Sequence, residues 1–299
     1  TRKKANYIKG VPDGEQITYV FPGPMDNNKR LEYINYEEGN PVGTWTQWSR
    51  DNENRLRKTG EIIFEAGAGR WREWDPNTLV VIRAGDYENW ERSGLWKSWD
   101  PQEVLVSEGE YVQGKKAGKW TWYKDGEDKG WQENYNNGVL NGKFNNLSPY
   151  ADIRGIGTYN EGVKTGDWEE YYSSADGSLE RSQTGSYQFG KKVGIWSLYA
   201  KNGRRVAEGT YKDDIKEGES TEGPDIDFGS RFFGKGTYSN NKKNGSWNYV
   251  APRQNPTIEG FFTDGEPSGE WKVIYNKKTY KGSLKDLKKQ VPKLNEFSF

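Results

Sequence analysis

The chain has 299 residues, an apolar share of 32% and an aromatic share of 15%. The apolar share is well below the roughly 45–50% of ordinary globular domains, so a thick aliphatic core is not expected. Lys and Arg number 44 and Asp and Glu number 44, which leaves no basic field for nucleic acid. Because Cys and His are absent, thiol nucleophiles, Ser-His triads, disulfides and most zinc sites are excluded.

A motif of glycines and aromatic residues recurs along the chain. "GEYVQGKKAGKWTWY" (109–123) reads Gly-x-Tyr-x-x-Gly-x-x-x-Gly-x-Trp-x-x-Tyr, and "GTYNEGVKTGDWEEY" (157–171) and "GSYQFGKKVGIWSLY" (185–199) repeat it. The lead aromatic residue returns every 23 to 29 residues, a period typical of a solenoid or an array. The eleven lead residues are Tyr7, Tyr36, Phe64, Tyr87, Tyr111, Tyr135, Tyr159, Tyr187, Tyr211, Tyr238 and Phe262.

Each repeat is predicted to form one β-hairpin. The segments between the glycines are short and rich in Tyr, Trp, Val and Thr, and Asn202-Gly203 is typical of a tight hairpin turn. We therefore predict an all-β fold: an elongated antiparallel meander of about eleven hairpins in a single twisted sheet. The array is expected over residues 1–284, interrupted around 214–235 where a copy loses its Trp. Residues 285–299, rich in lysine, are expected to be a basic C-terminal cap or a solvated tail.

The repeated aromatic residues are predicted to hold the array together. Trp120 and Tyr123 are three residues apart and should lie on opposite faces of a strand, so we expect a ring ladder on each face. In each ladder a ring is expected to stack on its equivalent in the next repeat. The eight ladder tryptophans are Trp45, Trp71, Trp96, Trp120, Trp168, Trp196, Trp247 and Trp271.

Six further rings are candidates for contact with a partner. Trp90 replaces the turn glycine and is expected where no core needs it, while Trp122 and Trp131 lie outside the repeated columns. The alternative for these three is that each caps a neighbouring ring. The interrupted segment, expected to leave the sheet and form a contact surface, contributes Phe228, Phe232 and Phe233.

The motif resembles the MORN repeat, most closely its bacterial variant, whose units read Y-x-N-G-K-x-x-G-x-W-x-x-Y. "YVQGKKAGKWTWY" (111–123) and "YQFGKKVGIWSLY" (187–199) match best, and the resemblance runs from Tyr7 to about Leu284. It implies a non-catalytic module, such as a scaffold, an oligomerisation rod, a lipid binder, or an antitoxin or immunity factor against bacterial toxins. The motif carries no catalytic residue to transfer.

These observations favour a protein-binding scaffold, as an accessory subunit of a bacterial envelope assembly, a toxin-neutralising factor, or part of an oligomer. An envelope, periplasmic or secreted location is favoured over the cytoplasm. One alternative is a cell-wall or glycan-binding surface protein, because "NGSWNYV" (244–250) is similar to choline-binding repeats. A lipid-associated module, suggested by the C-terminal lysines, is a weaker alternative.

No enzyme activity, catalytic residue, metal, cofactor or nucleic-acid partner is predicted. The carboxylates of "DWEEYY" (167–172) and "PDIDF" (224–228) are interpreted as solvated groups on turns. A calcium loop at Asp225 and Asp227 lacks the ligand spacing of a known motif.

Overall fold

The computed structural model describes residues 2–9, 11–20, 30–124, 126, 128–148, 154–172, 179–223, 233–251 and 256–296. The chain divides into two compact units, residues 1–142 and 143–299. The strands that begin in the first unit are β1 (Arg2–Lys4), β2 (Tyr7–Ile8), β3 (Val11–Pro12), β4 (Gly14–Val20), β5 (Arg30–Glu37), β6 (Asn40–Arg50), β7 (Leu56–Phe64), β8 (Gly69–Trp74), β9 (Val81–Glu88), β10 (Glu91–Trp99), β11 (Leu105–Val112), β12 (Lys115–Lys124), β13 (Asp128–Asn136) and β14 (Val139–Asn146).

The second unit continues with further strands and ends in two short helices. Its strands are β15 (Gly155–Asn160), β16 (Val163–Tyr171), β17 (Arg181–Gln188), β18 (Lys191–Tyr199), β19 (Arg205–Lys212), β20 (Ile215–Glu222), β21 (Phe233–Ser239), β22 (Lys242–Val250), β23 (Thr257–Thr263), β24 (Glu266–Tyr275) and β25 (Lys278–Gly282). The helices are α1 (Leu284–Gln290) and a 3-10 helix (Pro292–Glu296).

Consecutive strands pair antiparallel in both units. The series runs from β4 to β13 in the first unit and from β15 to β25 in the second. Strand β1 adds to β4, while β2 and β3 pair with each other. The prediction of an all-β antiparallel meander of hairpins is therefore confirmed.

The second glycine of the motif lies in a two-residue hairpin turn. In the turn between β11 and β12, Gln113 has φ 48° and Gly114 has φ 72°. Two successive positive φ angles match the right-handed twist of the flanking strands. The N–H of Gly114 donates to the carbonyl of Arg92 in the preceding hairpin at 3.0 Å, and Gly190 donates in the same way to Lys164. These turns are thus tied to the hairpins before them.

The first glycine of the motif makes room for the tryptophan ring. In the hairpin of β17 and β18, a Cβ on Gly185 would lie 2.3 Å from the indole of Trp196, which is fully buried. The third glycine, Gly194, has φ 67° at a shift of register between Thr184 and Ser186. This bulge re-aims the strand, so that the indole lies flat on Gly185 and its N–H donates to the Ser186 carbonyl at 3.1 Å.

The rings form one ladder on one face, and the expected stacking of equivalent rings is wrong for most of it. Two equivalent pairs do touch, Trp45 with Trp71 and Phe144 with Trp168, but their planes are tilted by 45° and 32°. Tyr187 lies between Trp168 and Trp196, with centroid distances of 6.1 and 4.9 Å and nearly perpendicular planes. Edge-to-face contact suits the charge distribution of aromatic rings better than a face-to-face pile. On the opposite face Tyr123 donates to Glu108 at 2.6 Å. No ring-ring contact joins it to an equivalent ring in the described part of the chain.

The predicted interruption at 214–235 is narrower than expected. Ile215–Glu222 forms β20, which pairs with both β19 and β21, and Phe233 already belongs to β21. Backbone pairing on both sides therefore keeps this Trp-less copy in the sheet without a ladder tryptophan. Residues 224–232 lie outside the described residues. At the other end of the array, the first lead residue, Tyr7, is 57% exposed, so its ring is not part of the buried ladder.

The C-terminal residues are a cap, and the expectation of a solvated tail is wrong as far as Glu296. Helix α1 begins at the N-cap Ser283, whose side chain accepts from the N–H of Asp286. Leu287, Val291 and Leu294 are fully buried in a cluster with the last ladder rings. Every third or fourth residue is apolar here, so the lysines between them face outward while the helix closes the core.

Candidate functional site

Trp90 packs within the first unit, and the expectation that no core needs it is wrong. It occupies the second turn position between β9 and β10 with φ 61°. Its indole N–H donates to the carbonyl of Pro41 at 2.7 Å, and Gly67 lies against the ring. The positive φ of a bulky residue is strained, and these contacts to two other hairpins offset that strain. The alternative of a capping ring is therefore the better description of Trp90.

Trp122 and Trp131 also pack against other rings. Their planes are parallel within 11°, with centroids 6.0 Å apart, and Trp122 lies 5.9 Å from the ladder ring Trp120. Both are partly buried. Phe233, at the start of β21, is 54% exposed and fits a partner contact better. Phe228 and Phe232 fall outside the described residues.

The carboxylates of "DWEEYY" lie on strand β16 and not on a turn. Glu169 and Glu170 alternate between the two faces, so they do not form a pair. Glu170 is largely buried and hydrogen-bonded on the ladder face, which corrects the expectation of a solvated group. Asp225 and Asp227 are outside the described residues. No group of three metal-ligating side chains occurs among the residues that the structure describes.

A column of cations covers the ladder tryptophans, a feature that was not predicted. Each cation stands two residues after the hairpin turn and four before the ladder position, so its stem crosses the indole. The Lys192 ammonium lies 4.3 Å from the Trp196 centroid, and the Arg92 guanidinium lies 4.6 Å from Trp96. We call these residues the cation column: Arg92 and Lys116 in the first unit, and Lys164, Lys192, Lys216 and Lys243 in the second.

Glu170 balances part of the cation column in the second unit. It accepts from Lys164 at 2.5 Å and from the Tyr187 hydroxyl at 2.9 Å, and Gln183 donates to its other oxygen. Gln183 in turn accepts from Lys192 at 2.7 Å. One carboxylate thus lies between two cations of successive repeats.

A second carboxylate repeats this arrangement further along the unit. Glu222 lies 2.9 Å from Lys243 and accepts from the Tyr238 hydroxyl. The ammonium of Lys216 lies 3.8 Å from the Tyr238 centroid, close enough for Glu222 to act on its charge. Cation-π contact and a nearby carboxylate together make these buried ammonium groups tolerable.

The pKa of Glu170 is held below its ordinary value. Burial alone would raise this pKa, but hydrogen bonds from Lys164, Gln183 and Tyr187 and the charge of Lys164 outweigh burial. A carboxyl whose pKa is lowered by folding stabilises the fold above the pKa of the unfolded chain. That contribution is lost as the pH falls through the lower pKa of the folded state.

We therefore expect a Glu170-dependent loss of stability in acid. At pH 7 the parent protein should be more stable than Glu170→Gln by on the order of 1 kcal/mol, because only the parent has the charged carboxylate. This difference in the free energy of unfolding should shrink as the pH falls through about 4.5 and below. Urea unfolding of the two proteins between pH 3 and 7, followed by circular dichroism, measures this difference. Glu161→Gln, at an exposed turn, is the control. A constant gap between parent and Glu170→Gln at all pH values would contradict the assignment.

The first unit holds an open cleft on its ladder face. Its volume is about 290 Å³ and its floor is made of ladder rings, with Trp122 at one side. Ser98 and Ser107 line it, with their hydroxyls 2.6 Å apart. The cations on the ladder face of the cleft are Arg83, Arg92 and Lys116, whereas the side chain of Lys97 alternates to the opposite face of the sheet. Arg83 and Lys97 pair with Glu73 and Glu108 at 3.1 and 3.0 Å.

Phe189 is the most exposed large apolar side chain among the described residues, at 84%. It stands at the first turn position between β17 and β18 with φ 50°. No other hairpin has a large apolar residue there in the described part of the chain. The equivalent residues are Glu38, Ala66, Asn89, Gln113, Asn137, Glu161, Asp213, Asn240, Asp264 and Asn276.

Both overlooked features leave a signal in the sequence. "YQFGKK" carries Phe where "YVQGKK" carries Gln, and a Lys or Arg stands four residues before most ladder tryptophans. Charge counting over whole segments hid this fixed spacing. The lining of the cleft could not be found in the same way, because its serines carry no motif of their own.

Comparison with known proteins identifies no relative of this chain. No protein-family model matches the sequence, and no curated protein is significantly similar to it. In the described part of the chain, no helix is long and apolar enough to span a bilayer.

Proposed function

We propose that the protein is a non-catalytic interaction module that binds a partner protein through the exposed hairpin turn at Phe189. The proposal includes the roles expected from the MORN-like repeat, namely a scaffold or accessory subunit of an envelope assembly or a toxin-neutralising factor. The observation that carries it is the exposed ring of Phe189 at a position where the other hairpins have small or polar residues.

The backbone conformation strengthens this argument. A bulky residue with positive φ costs on the order of 1 kcal/mol, whereas Asn tolerates the conformation well. Phe189 gains no compensating burial within the chain, since most of its surface is exposed. Backbone strain that no contact within the protein offsets is typical of functional sites. Aromatic rings are also enriched among the residues that contribute most to binding energy. The neighbouring turn adds Val163, 42% exposed, beside Gly190.

Phe233 supports the same interpretation as a second contact. It is 54% exposed and is the one member of the three predicted phenylalanines that the structure describes. Trp90 and the Trp122–Trp131 pair are weaker candidates because their rings pack against the protein itself.

We expect Phe189→Asn to weaken partner binding at least tenfold without loss of stability. Asparagine fits the turn, so the melting temperature should stay the same or rise slightly, while the anchoring ring is lost. A photo-crosslinking residue at position 189 would first identify the partner in source cells. The affinity of the purified partner for parent and variant would then be measured by calorimetry.

The matched control is Asp264→Asn at the equivalent position of the turn between β23 and β24, which should leave the affinity unchanged. An equal loss for both variants, or no loss for Phe189→Asn, would overturn the proposed contact. Retention on cell-wall material stripped of all protein, together with no protein crosslinked at position 189, would favour the alternative of a glycan-binding protein. Retention on anionic vesicles would favour a lipid-associated module.

A further inference from the structure

The open cleft of the first unit and the Glu170 network of the second occupy equivalent places in the repeat. Glu170 stands two residues after a ladder Trp, and Gln183 stands two residues before the first glycine of the next repeat. The same positions in the first unit are Ser98 and Ser107. The cations on either side correspond as well, with Arg92 and Lys116 in place of Lys164 and Lys192.

Replacement by serine leaves the two cations without their counter-ion. In the described part of the chain, no carboxylate lies within ion-pair distance of Arg92 or Lys116. Arg92 donates to the Tyr111 hydroxyl at 3.2 Å and stacks on Trp96 and Tyr111. Lys116 is half-buried over Trp120. The charge of Glu133 raises the pKa of Lys116, but the two side chains do not form an ion pair. Burial lowers the pKa of Lys116, and an anion bound beside the ammonium group would raise that pKa again.

The space vacated by the two longer side chains is the cleft itself. Its 290 Å³ exceeds the volume of a single carboxylate and suits a ligand of about one sugar ring. Trp122 borders this space as a partly exposed indole, 4.9 Å from the Lys116 ammonium. The Ser98 and Ser107 hydroxyls, which hydrogen-bond to each other, can both donate to and accept from ligand hydroxyls.

We propose that the cleft binds an acidic sugar, with its carboxylate between Arg92 and Lys116 and its ring against Trp122. The carboxylate takes the place that Glu170 fills in the second unit. The serine hydroxyls contact the sugar hydroxyls, and the indole covers the apolar face of the ring. This inference does not depend on the proposed function, because Phe189 belongs to the other unit and serves a different ligand class.

Calorimetric titration of the full chain with sodium glucuronate and sodium galacturonate tests the site. We expect a millimolar or tighter Kd for at least one of them, as is usual for a ligand of this size. Neutral glucose should bind at least tenfold more weakly. Arg92→Gln and Lys116→Gln should each weaken glucuronate binding at least tenfold, since each removes a charge-assisted hydrogen bond.

A substitution that restores the internal counter-ion gives the sharpest test. Ser98→Glu places a carboxylate at the position of Glu170, so it should abolish binding while leaving the circular dichroism and melting temperature intact. Lys164→Gln, the equivalent of Arg92→Gln in the second unit, is the matched control and should leave the Kd unchanged.

Several results would overturn the proposal. Binding of neither uronic acid would remove the site, and equal binding of glucose would remove the role of the cations. Unchanged binding by folded Ser98→Glu would place the ligand elsewhere. Inorganic phosphate binding as tightly as glucuronate would show an ion site without a sugar subsite, and tighter binding of a short glutamate peptide would assign the cleft to an acidic protein segment.

Discussion

Gly185→Ala is expected to lower the free energy of unfolding of the second unit by about 3 kcal/mol or more. The added Cβ would lie 2.3 Å from the Trp196 indole, which is fully buried and held by its hydrogen bond to Ser186. Overpacking of a tight core costs roughly 1–3 kcal/mol. The rigid indole is in edge-to-face contact with Tyr187 and is covered by Lys192, so it cannot shift without breaking those contacts. Urea unfolding and amide exchange of β17 and β18 measure the loss.

Gly209→Ala is the matched control because it tests the same motif position in the Trp-less copy. There the added Cβ would meet the Lys216 Cε at 2.6 Å and the Ser220 hydroxyl at 3.0 Å, both on side chains that can move. We expect a cost below about 1 kcal/mol. If Gly209→Ala were as damaging as Gly185→Ala, the first glycine would be required by the backbone and not by the indole.

The repeat itself made the fold predictable. The fixed glycine spacing indicated the two-residue turns, and Gly114 and Gly190 indeed have φ 72° and 77°. The tight turn expected at Asn202-Gly203 is wrong, because five residues, 200–204, connect β18 to β19 and only the glycine of this dipeptide has a positive φ. A hairpin depends on residues close in sequence, so local patterns suffice. The burial of the ladder tryptophans followed from the same regularity, and Trp168, Trp196, Trp247 and Trp271 are nearly inaccessible to solvent.

The ring geometry was not predictable from spacing alone. The bulge at glycines such as Gly194 shifts the register and brings each Trp against the lead ring, which simple two-residue alternation does not reveal. The candidate sites were missed for a related reason. Arg92 and Lys116 stand out as a candidate site only after the two units are compared. At the positions of Glu170 and Gln183 in the second unit, the first unit has Ser98 and Ser107.

Ser220→Trp is expected to stabilise the second unit by about 2 kcal/mol. Ser220 is buried and occupies the ladder position opposite Gly209, and its hydroxyl has no hydrogen-bond partner among the residues that the structure describes. Tyr211 has no ring contact among the described residues, so the ladder is broken here. A ring at this position would bury roughly 150–250 Å² and join Tyr211 to Tyr238. Lys216, four residues earlier, would move to cover the indole as Lys192 covers Trp196.

The decisive measurement is the coupling between this substitution and the glycine opposite. In the parent chain Gly209→Ala meets a flexible lysine, whereas in the Ser220→Trp background the same methyl group would meet a rigid indole, as it would at Gly185. We therefore expect a coupling energy of about 2 kcal/mol or more in a double-mutant cycle by urea unfolding. Additive effects would mean that the new ring does not lie on Gly209. A loss of stability from Ser220→Trp alone would mean that Lys216 cannot leave the space beside Gly209. This copy would then have repacked around the lysine and could no longer accommodate a ladder tryptophan.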